Sequence, residues 1–109
     1  MELRPPSYFA LAALIDGPLH GYAIVRRAAV LSDGAVRLST GTLYALLDRA
    51  IDAGLVVAGD PYVTGGRTRR DYALTQAGRG RLDTESQRLL HASRVVVRRL
   101  DATSALATP

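Results

Sequence analysis

Two adjacent glycines, Gly65 and Gly66, constrain this chain more than any other feature. Glycine lacks a Cβ, so a glycine pair is a hinge-like point where a chain can reverse tightly. Upstream lies Leu55-Val56-Val57-Ala58, a short run whose branched apolar content reads as a strand. Downstream, Tyr72 and Leu74 alternate with polar neighbours, the pattern of a returning strand that ends near Thr75. The segment Pro61 to Arg70 between them is therefore a hairpin end with Thr64-Gly65-Gly66 at its tip.

Three helical stretches precede that hairpin. Pro5-Pro6-Ser7 is read as the entry to the first, with Ser7 as the capping residue. Leu11, Leu14 and Ile15 follow at helical spacing, and Gly17-Pro18 ends the pattern. A second helix is predicted from about Gly21 to Leu31, with Ile24, Val25, Ala28 and Leu31 along one side, and Ser32-Asp33-Gly34 forms a turn. After the extended piece Ala35 to Leu38, Ser39 is placed to cap a third helix running through Ala53. Its stripe Leu43, Leu46, Leu47, Ala50 and Ile51 faces a core, while Gly41, Ala45, Asp48, Arg49 and Asp52 point outward. Gly54 closes it as a C-terminal cap. From Gln76 to about Leu100 the chain reads as one long helix whose first turn is weakened by Gly78 and Gly80.

At 109 residues the sequence fits one modest core. There is no cysteine, which excludes disulfide scaffolds, thiol nucleophiles and thiolate metal sites. His20 and His91 stand far apart, no serine sits at a nucleophile elbow, and no Gly-rich loop leads to a lysine, so enzyme chemistry has little to work with. No cofactor or metal is expected. The apolar run Pro5 to Ile15 is too short to span a bilayer and lacks the basic leader and cleavage site of a signal peptide, so the expected location is the cytoplasm. All fourteen basic residues are arginine, and the formal net charge is +4. Guanidinium forks suit phosphate and carboxylate, although seventeen alanines also fit a plain compositional bias.

Three helices followed by a glycine-tipped hairpin is the element order of a winged helix-turn-helix, a mainly α fold with a small β-hairpin. In that arrangement the third helix presents its N-terminal half to the major groove and the hairpin lies along the DNA backbone. Gly41 and Ala45 at the centre of the outward face leave nothing bulky to hold the helix off a groove. Ser39, Thr40 and Thr42 bring hydroxyls and free amides to the end where the helix dipole favours phosphate. A purely structural reading of Ser39 as a cap and Gly41 as a close-packing residue accounts for these positions equally well. Arg67, Arg69 and Arg70 place three cations beside the glycine pair; alone they would be a solvated loop, but after such a helix they suit phosphate contact.

Leu19-His20-Gly21-Tyr22 and Leu38-Ser39-Thr40-Gly41-Thr42-Leu43-Tyr44-Ala45-Leu46-Leu47, followed by Ala53-Gly54-Leu55-Val56 and Arg70-Asp71-Tyr72-Ala73-Leu74-Thr75-Gln76-Ala77-Gly78, resemble the PadR-type transcriptional regulators. The resemblance covers about Pro6 to Leu100, and the single last helix is similar to the short subclass of that family. It implies a homodimeric repressor that binds an inverted-repeat operator in double-stranded DNA and is released by a small-molecule or other effector. On that resemblance Tyr22, Ser39, Thr42 and Tyr44 would touch backbone or base edges, and the wing arginines would grip phosphate or enter the minor groove. The full candidate DNA-binding set is Tyr22, Ser39, Thr40, Gly41, Thr42, Tyr44, Arg49, Gly65, Gly66, Arg67, Arg69 and Arg70. One departure stands out: the family's tyrosine pair on the returning strand is here Asp71-Tyr72, and Asp71 is placed to tether Arg69 or Arg70.

In the last helix Leu82, Ser86, Leu89, Ser93, Val96 and Leu100 repeat at spacings of four and three, a coiled-coil-like seam. The stripe either packs on its own domain or forms a dimer, and the helix is long for so small a body to cover. With Leu11 these residues form the expected dimer interface. Tyr8, Phe9 and His91 are candidate lining for an effector pocket. The expected division is a DNA-binding domain over 1–75, a dimerisation helix over 76–100 and a frayed tail over 101–109. The rival reading is a winged-helix module for protein association without specific DNA binding; three arginines around a mobile glycine pair weigh against it.

Overall fold

The computed structural model describes residues 1–104. Helix α1 (Pro5–Ala12) leads to a two-residue strand β1 (Leu19–His20), then α2 (Gly21–Leu31) and α3 (Thr40–Asp52). Strands β2 (Val56–Ala58), β3 (Tyr62–Thr64), β4 (Arg67–Arg69) and β5 (Asp71–Leu74) follow, and α4 (Gln76–Ser104) completes the fold. The winged helix-turn-helix with a long C-terminal helix is the architecture the element order predicts.

The start of α1 differs from expectation. Arg4 occupies the capping position without a side-chain bond, with prolines at the first two helical positions. A proline has no N–H, so Pro5 and Pro6 remove two of the amides a cap would have to satisfy. Ser7 is consequently free of that role and lies buried inside the first turn. Beyond Ala12 the chain continues in tighter turns, Leu14 N–H donating to Leu11 and Ile15 N–H to Ala12, which rotates Ile15 out to solvent.

Helix α3 begins as its sequence dictates. Ser39 Oγ accepts from the Thr42 amide at 3.2 Å. Gly54, at φ +76°, ends the helix, and Leu55 N–H closes onto the Ala50 carbonyl at 2.9 Å. Leu43, Leu46, Leu47 and Ala50 are buried with Leu11, Leu14, Ile24, Ala28 and Val56.

The sheet has one strand more than the hairpin alone supplies. Its order is β1-β5-β2, all antiparallel, with Leu19 opposite Tyr72 and Val56 opposite Leu74. The distal part of the hairpin is a separate two-stranded ladder, β3 with β4, in which Thr64 faces Arg67 across Gly65-Gly66. Both glycines have positive φ, +55° and +75°, as a two-residue hairpin turn matching the strand twist requires.

Helix α4 enters the core at its root. Thr75 Oγ1 accepts from the Gly78 amide at 3.0 Å and donates to the Gly54 carbonyl at 2.7 Å. Gly78 and Leu82 are buried, Arg79 donates to the Ile15 carbonyl at 2.6 Å, and Arg81 donates to the Met1 carbonyl. Two residues assigned to a dimer seam are thereby corrected: Leu11, fully buried, and Leu82, 5% exposed, belong to the chain's own core. Ser86 is also engaged internally, at 2.6 Å from the Tyr8 hydroxyl. A spacing of four and three describes contact with any neighbour, and for the first turns of α4 that neighbour is the same chain. From Gln87 onward every described residue of α4 is exposed. The helix runs on through Ser104, so the tail expected from Asp101 starts inside it; the remainder of that tail, 105–109, lies outside the described residues.

The two glycines of the first turns of α4 are not equivalent. A Cβ on Gly78 would collide with the Leu55 carbonyl oxygen, whereas one on Gly80 meets nothing within 4 Å. Gly78→Ala is expected to destabilise the fold by about 1–3 kcal/mol through overpacking against backbone. Gly80→Ala should instead stabilise it by about 1 kcal/mol through helix propensity. Denaturant unfolding of the two variants checks the pair.

Candidate nucleic-acid interface

The face that carries the candidate residues is built by α2, α3 and the β3–β4 ladder. His20, Tyr22, Tyr44, Arg67, Arg69 and Arg70 line a common cleft of about 370 Å³, with Gly21 and Tyr72 in its walls. Residues from four separate stretches are thus brought to one place. Ser39, Thr40, Gly41 and Thr42 lie outside the cleft, exposed at the N-terminus of α3. Arg49 is exposed in the last turn of the same helix, also outside it.

Each aromatic residue is placed by a specific neighbour. Gly21 opens α2 directly beneath Tyr44: a Cβ there would fall 2.7 Å from the tyrosine hydroxyl. The missing side chain lets α3 approach α2 and sets the Tyr44 ring across the start of α2. Tyr72 backs it, with ring centroids 6.4 Å apart and planes tilted by 55°. Burial, and then the neighbouring Tyr44, raise the Tyr72 phenol above its ordinary range, so it stays neutral. Tyr22 is 66% exposed, and the Arg26 guanidinium sits 5.7 Å from its ring centroid. That geometry keeps a cation beside an exposed aromatic ring.

At the N-terminus of α3 the Ser39 hydroxyl donates to Thr42 Oγ1 at 2.9 Å while accepting the Thr42 amide. Space beside Gly41 is open, with nothing within 4 Å of a Cβ position. The outward face of the helix therefore has no side chain between its backbone and solvent at that point. Positive helix-end potential and two further hydroxyls, Thr40 and Thr42, lie around it.

Asp71 behaves differently from expectation. Its carboxylate accepts the Tyr62 hydroxyl at 2.6 Å rather than tethering an arginine. That hydrogen bond, followed by burial and the charge of Asp71, raises the Tyr62 phenol above its ordinary range. The two residues brace the base of the wing, because Tyr62 opens β3 and Asp71 opens β5. Arg69 turns instead to His20, its Nη1 2.6 Å from the imidazole Nε2. Arg67 and Arg70 have no hydrogen-bonding or ion-pair partner among the described residues and remain available to an anion. Sequence reasoning missed the roles of His20 and Arg26. His20 stands in the quoted Leu19-His20-Gly21-Tyr22 stretch, but only the β1–β5 pairing brings it to the wing.

A second concavity, of about 600 Å³, lies where α1 meets α4 and is lined by Leu3, Arg4, Tyr8, Phe9, Arg81, Glu85, Arg88 and Leu89 among others. Two of the three residues expected in an effector pocket, Tyr8 and Phe9, line it, their rings edge-to-face at 5.2 Å. His91 does not: it is exposed further along α4, past the point where that helix leaves α1. Arg88 pairs with Glu85 at 2.5 Å on the rim and holds its carboxyl below the ordinary carboxylate range. Among the described residues no group of three or more His, Asp or Glu is placed to hold a metal, and no helix is long and apolar enough to cross a membrane.

Known proteins resemble this chain in sequence or in fold. A transcriptional regulator of Mycobacterium tuberculosis, Rv3488, is 41% identical over 75 residues, covering 69% of this chain and 65% of its own. A 37.1 kDa protein of transposon TN4556 from Streptomyces fradiae is 39% identical over 93 residues, covering 85% of this chain and 25% of its own. The chain thus spans a quarter of one of these relatives and just under two thirds of the other. Bacillus subtilis PadR, solved in complex with operator DNA, has the same fold at a TM-score of 0.65 and 23% identity, over 74% of this chain and 47% of that one. The sequence profile of the PadR-like transcriptional regulators matches residues 10–84, and the chain belongs to that family.

Proposed function

We propose that this chain is a homodimeric, sequence-specific DNA-binding repressor that recognises an inverted-repeat operator and is released by an effector. The observation that carries the reading is the cleft itself. Tyr22, Tyr44 and the wing arginines converge on it from α2, α3 and the stretch from β4 to the start of β5, beside an α3 face left open at Gly41. Membership of a family of transcriptional regulators sets the chain among binding proteins rather than enzymes. One structural neighbour is a PadR protein bound to operator DNA, which supports the same partner here. In this reading α3 enters the major groove and Arg67 and Arg70 take phosphate, with Ser39, Thr40, Thr42 and Arg49 around the helix and Gly65-Gly66 letting the wing tip follow the backbone.

The dimer rests on the distal half of α4. Leu89, Val96 and Leu100 are exposed there, 43%, 56% and 62%, with Ser93 between them on the same stripe. Pairing this stripe with a second copy covers the apolar side chains and sets two recognition helices about 34 Å apart, one turn of DNA. The concavity beside Tyr8 and Phe9 adjoins the root of that seam, which suits an effector that acts on the separation of the two α3 helices. Location in the cytoplasm follows from such a role.

Fluorescence anisotropy against DNA from upstream of the chain's own gene, with unrelated competitor and a salt series, tests the reading. Binding that survives competitor with two protomers per site is the expected result; binding abolished by competitor favours a protein-association module. Arg67→Ala and Arg70→Ala should each weaken binding to every sequence and lower the log–log salt slope by about 0.9. Val96→Glu buries a charge in the seam, so sedimentation should show a shift from dimer to monomer with operator binding lost while the fold is retained.

A further inference from the structure

His20 lies between the wing and α2, and its ring faces a hydrogen-bond donor at each nitrogen. Nδ1 lies 3.3 Å from the amide nitrogen of Ala23, in the capping position of the first turn of α2. Nε2 lies 2.6 Å from Arg69 Nη1. A backbone amide only donates, and a guanidinium carries its charge throughout the accessible pH range and only donates. A neutral imidazole has one lone pair for hydrogen bonding, because its other nitrogen carries the proton. One ring cannot accept from both partners. The Arg69 contact is the shorter and is charge-assisted, so it takes the lone pair at Nε2. Nδ1 then holds the proton and faces the Ala23 amide donor to donor, and the first turn of α2 has no acidic side chain to replace that cap.

We propose that His20 is a positioning residue that exchanges wing Arg69 for the cap of α2. With the wing at rest, His20 holds Arg69 across β1 and β4 and the start of α2 is under-capped. When Arg69 turns to a phosphate, the proton leaves Nδ1 and one is taken up at Nε2 through solvent, with no net change in charge. Nδ1 then accepts the Ala23 amide. Release of the wing arginine and tightening of the turn that carries Tyr22 become one event. Asp71 stands opposite His20 in the β1–β5 register, but its carboxylate is held by Tyr62 and does not compete for Arg69. The exchange on DNA rests on the proposed function; the hold on Arg69 in the free protein does not.

Nitrogen-15 long-range correlation NMR on the full chain reads which ring nitrogen of each histidine carries hydrogen. It is run well above the ordinary imidazole titration range, with exposed His91 as internal reference. The free protein is expected to show His20 protonated at Nδ1. Arg69→Ala should move that proton to Nε2 and leave His91 unchanged, with the dispersion of the remaining spectrum reporting that the variant folds; Arg69→Met serves as a second variant. The same move is expected in the unsubstituted protein on a mixed-sequence DNA duplex at low salt, with binding followed by anisotropy. A proton at Nε2 in the free protein, or no change in either variant, overturns the proposal. Duplex binding with the His20 proton still at Nδ1 overturns the exchange. A switch in the variants without any duplex binding upholds the hold on Arg69 and counts against the DNA-binding function instead.

Discussion

The end of α3, the start of β2, the end of β5 and the root of α4 meet around the backbone of Gly54, Leu55, Thr75 and Gly78. Thr75 holds the junction: its amide donates to the Leu55 carbonyl at 3.0 Å, and its hydroxyl bridges the Gly54 carbonyl and the Gly78 amide. Only a glycine at 78 lets α4 approach closely enough for these bonds to form. The direction of α4 and the attachment of the wing are therefore set together. Every group that faces the cleft is positioned relative to this knot of main chain, and the polar atoms within it are satisfied internally, as burial demands.

The charge distribution on the candidate face follows a similar economy. Asp71, at the base of the wing, is occupied by a phenol and not by an arginine. Asp16 pairs with Arg27 at 2.5 Å on the exposed side of α2, away from the cleft lining. Among the described residues Arg67 and Arg70 have no ion-pair partner, so an external anion meets little internal competition there.

Several elements were legible because each was set by local chemistry. Ser39 and Gly54 delimit α3 through a cap and a left-handed residue, and Gly65-Gly66 marks the wing tip for the same conformational reason. The convergence of Tyr22, Tyr44 and the wing arginines followed from element order and family resemblance together. What escaped depends on partners distant in the chain. Strand β1 is two residues long and exists through its pairing with β5, so no alternation could announce it. His20 and Arg69 are 49 positions apart. At α1 the candidate cap was misassigned because two prolines had already removed the amides in need of one. In α4 a heptad-like stripe carries no information on what covers it, and in the structure it is engaged by the chain's own body up to Ser86 and exposed from Gln87 onward.

Helix α4 has 29 residues, so it is about 43 Å long, and the part from Gln87 onward extends about 27 Å beyond the body of its own domain. Its first turns are anchored to the body by Thr75, Arg79, Arg81, the buried Leu82 and the Ser86–Tyr8 hydrogen bond. Mechanically this is a cantilever. A tilt of about 5° at the root moves the free end by about 2 Å over that overhang, while the atoms at the root shift by a small fraction of this. The concavity between α1 and α4 lies at the fulcrum. A shape change too small to disturb the core there is magnified along the arm, so a local adjustment becomes a displacement of about 2 Å at the far end of the helix without any hinge in the chain.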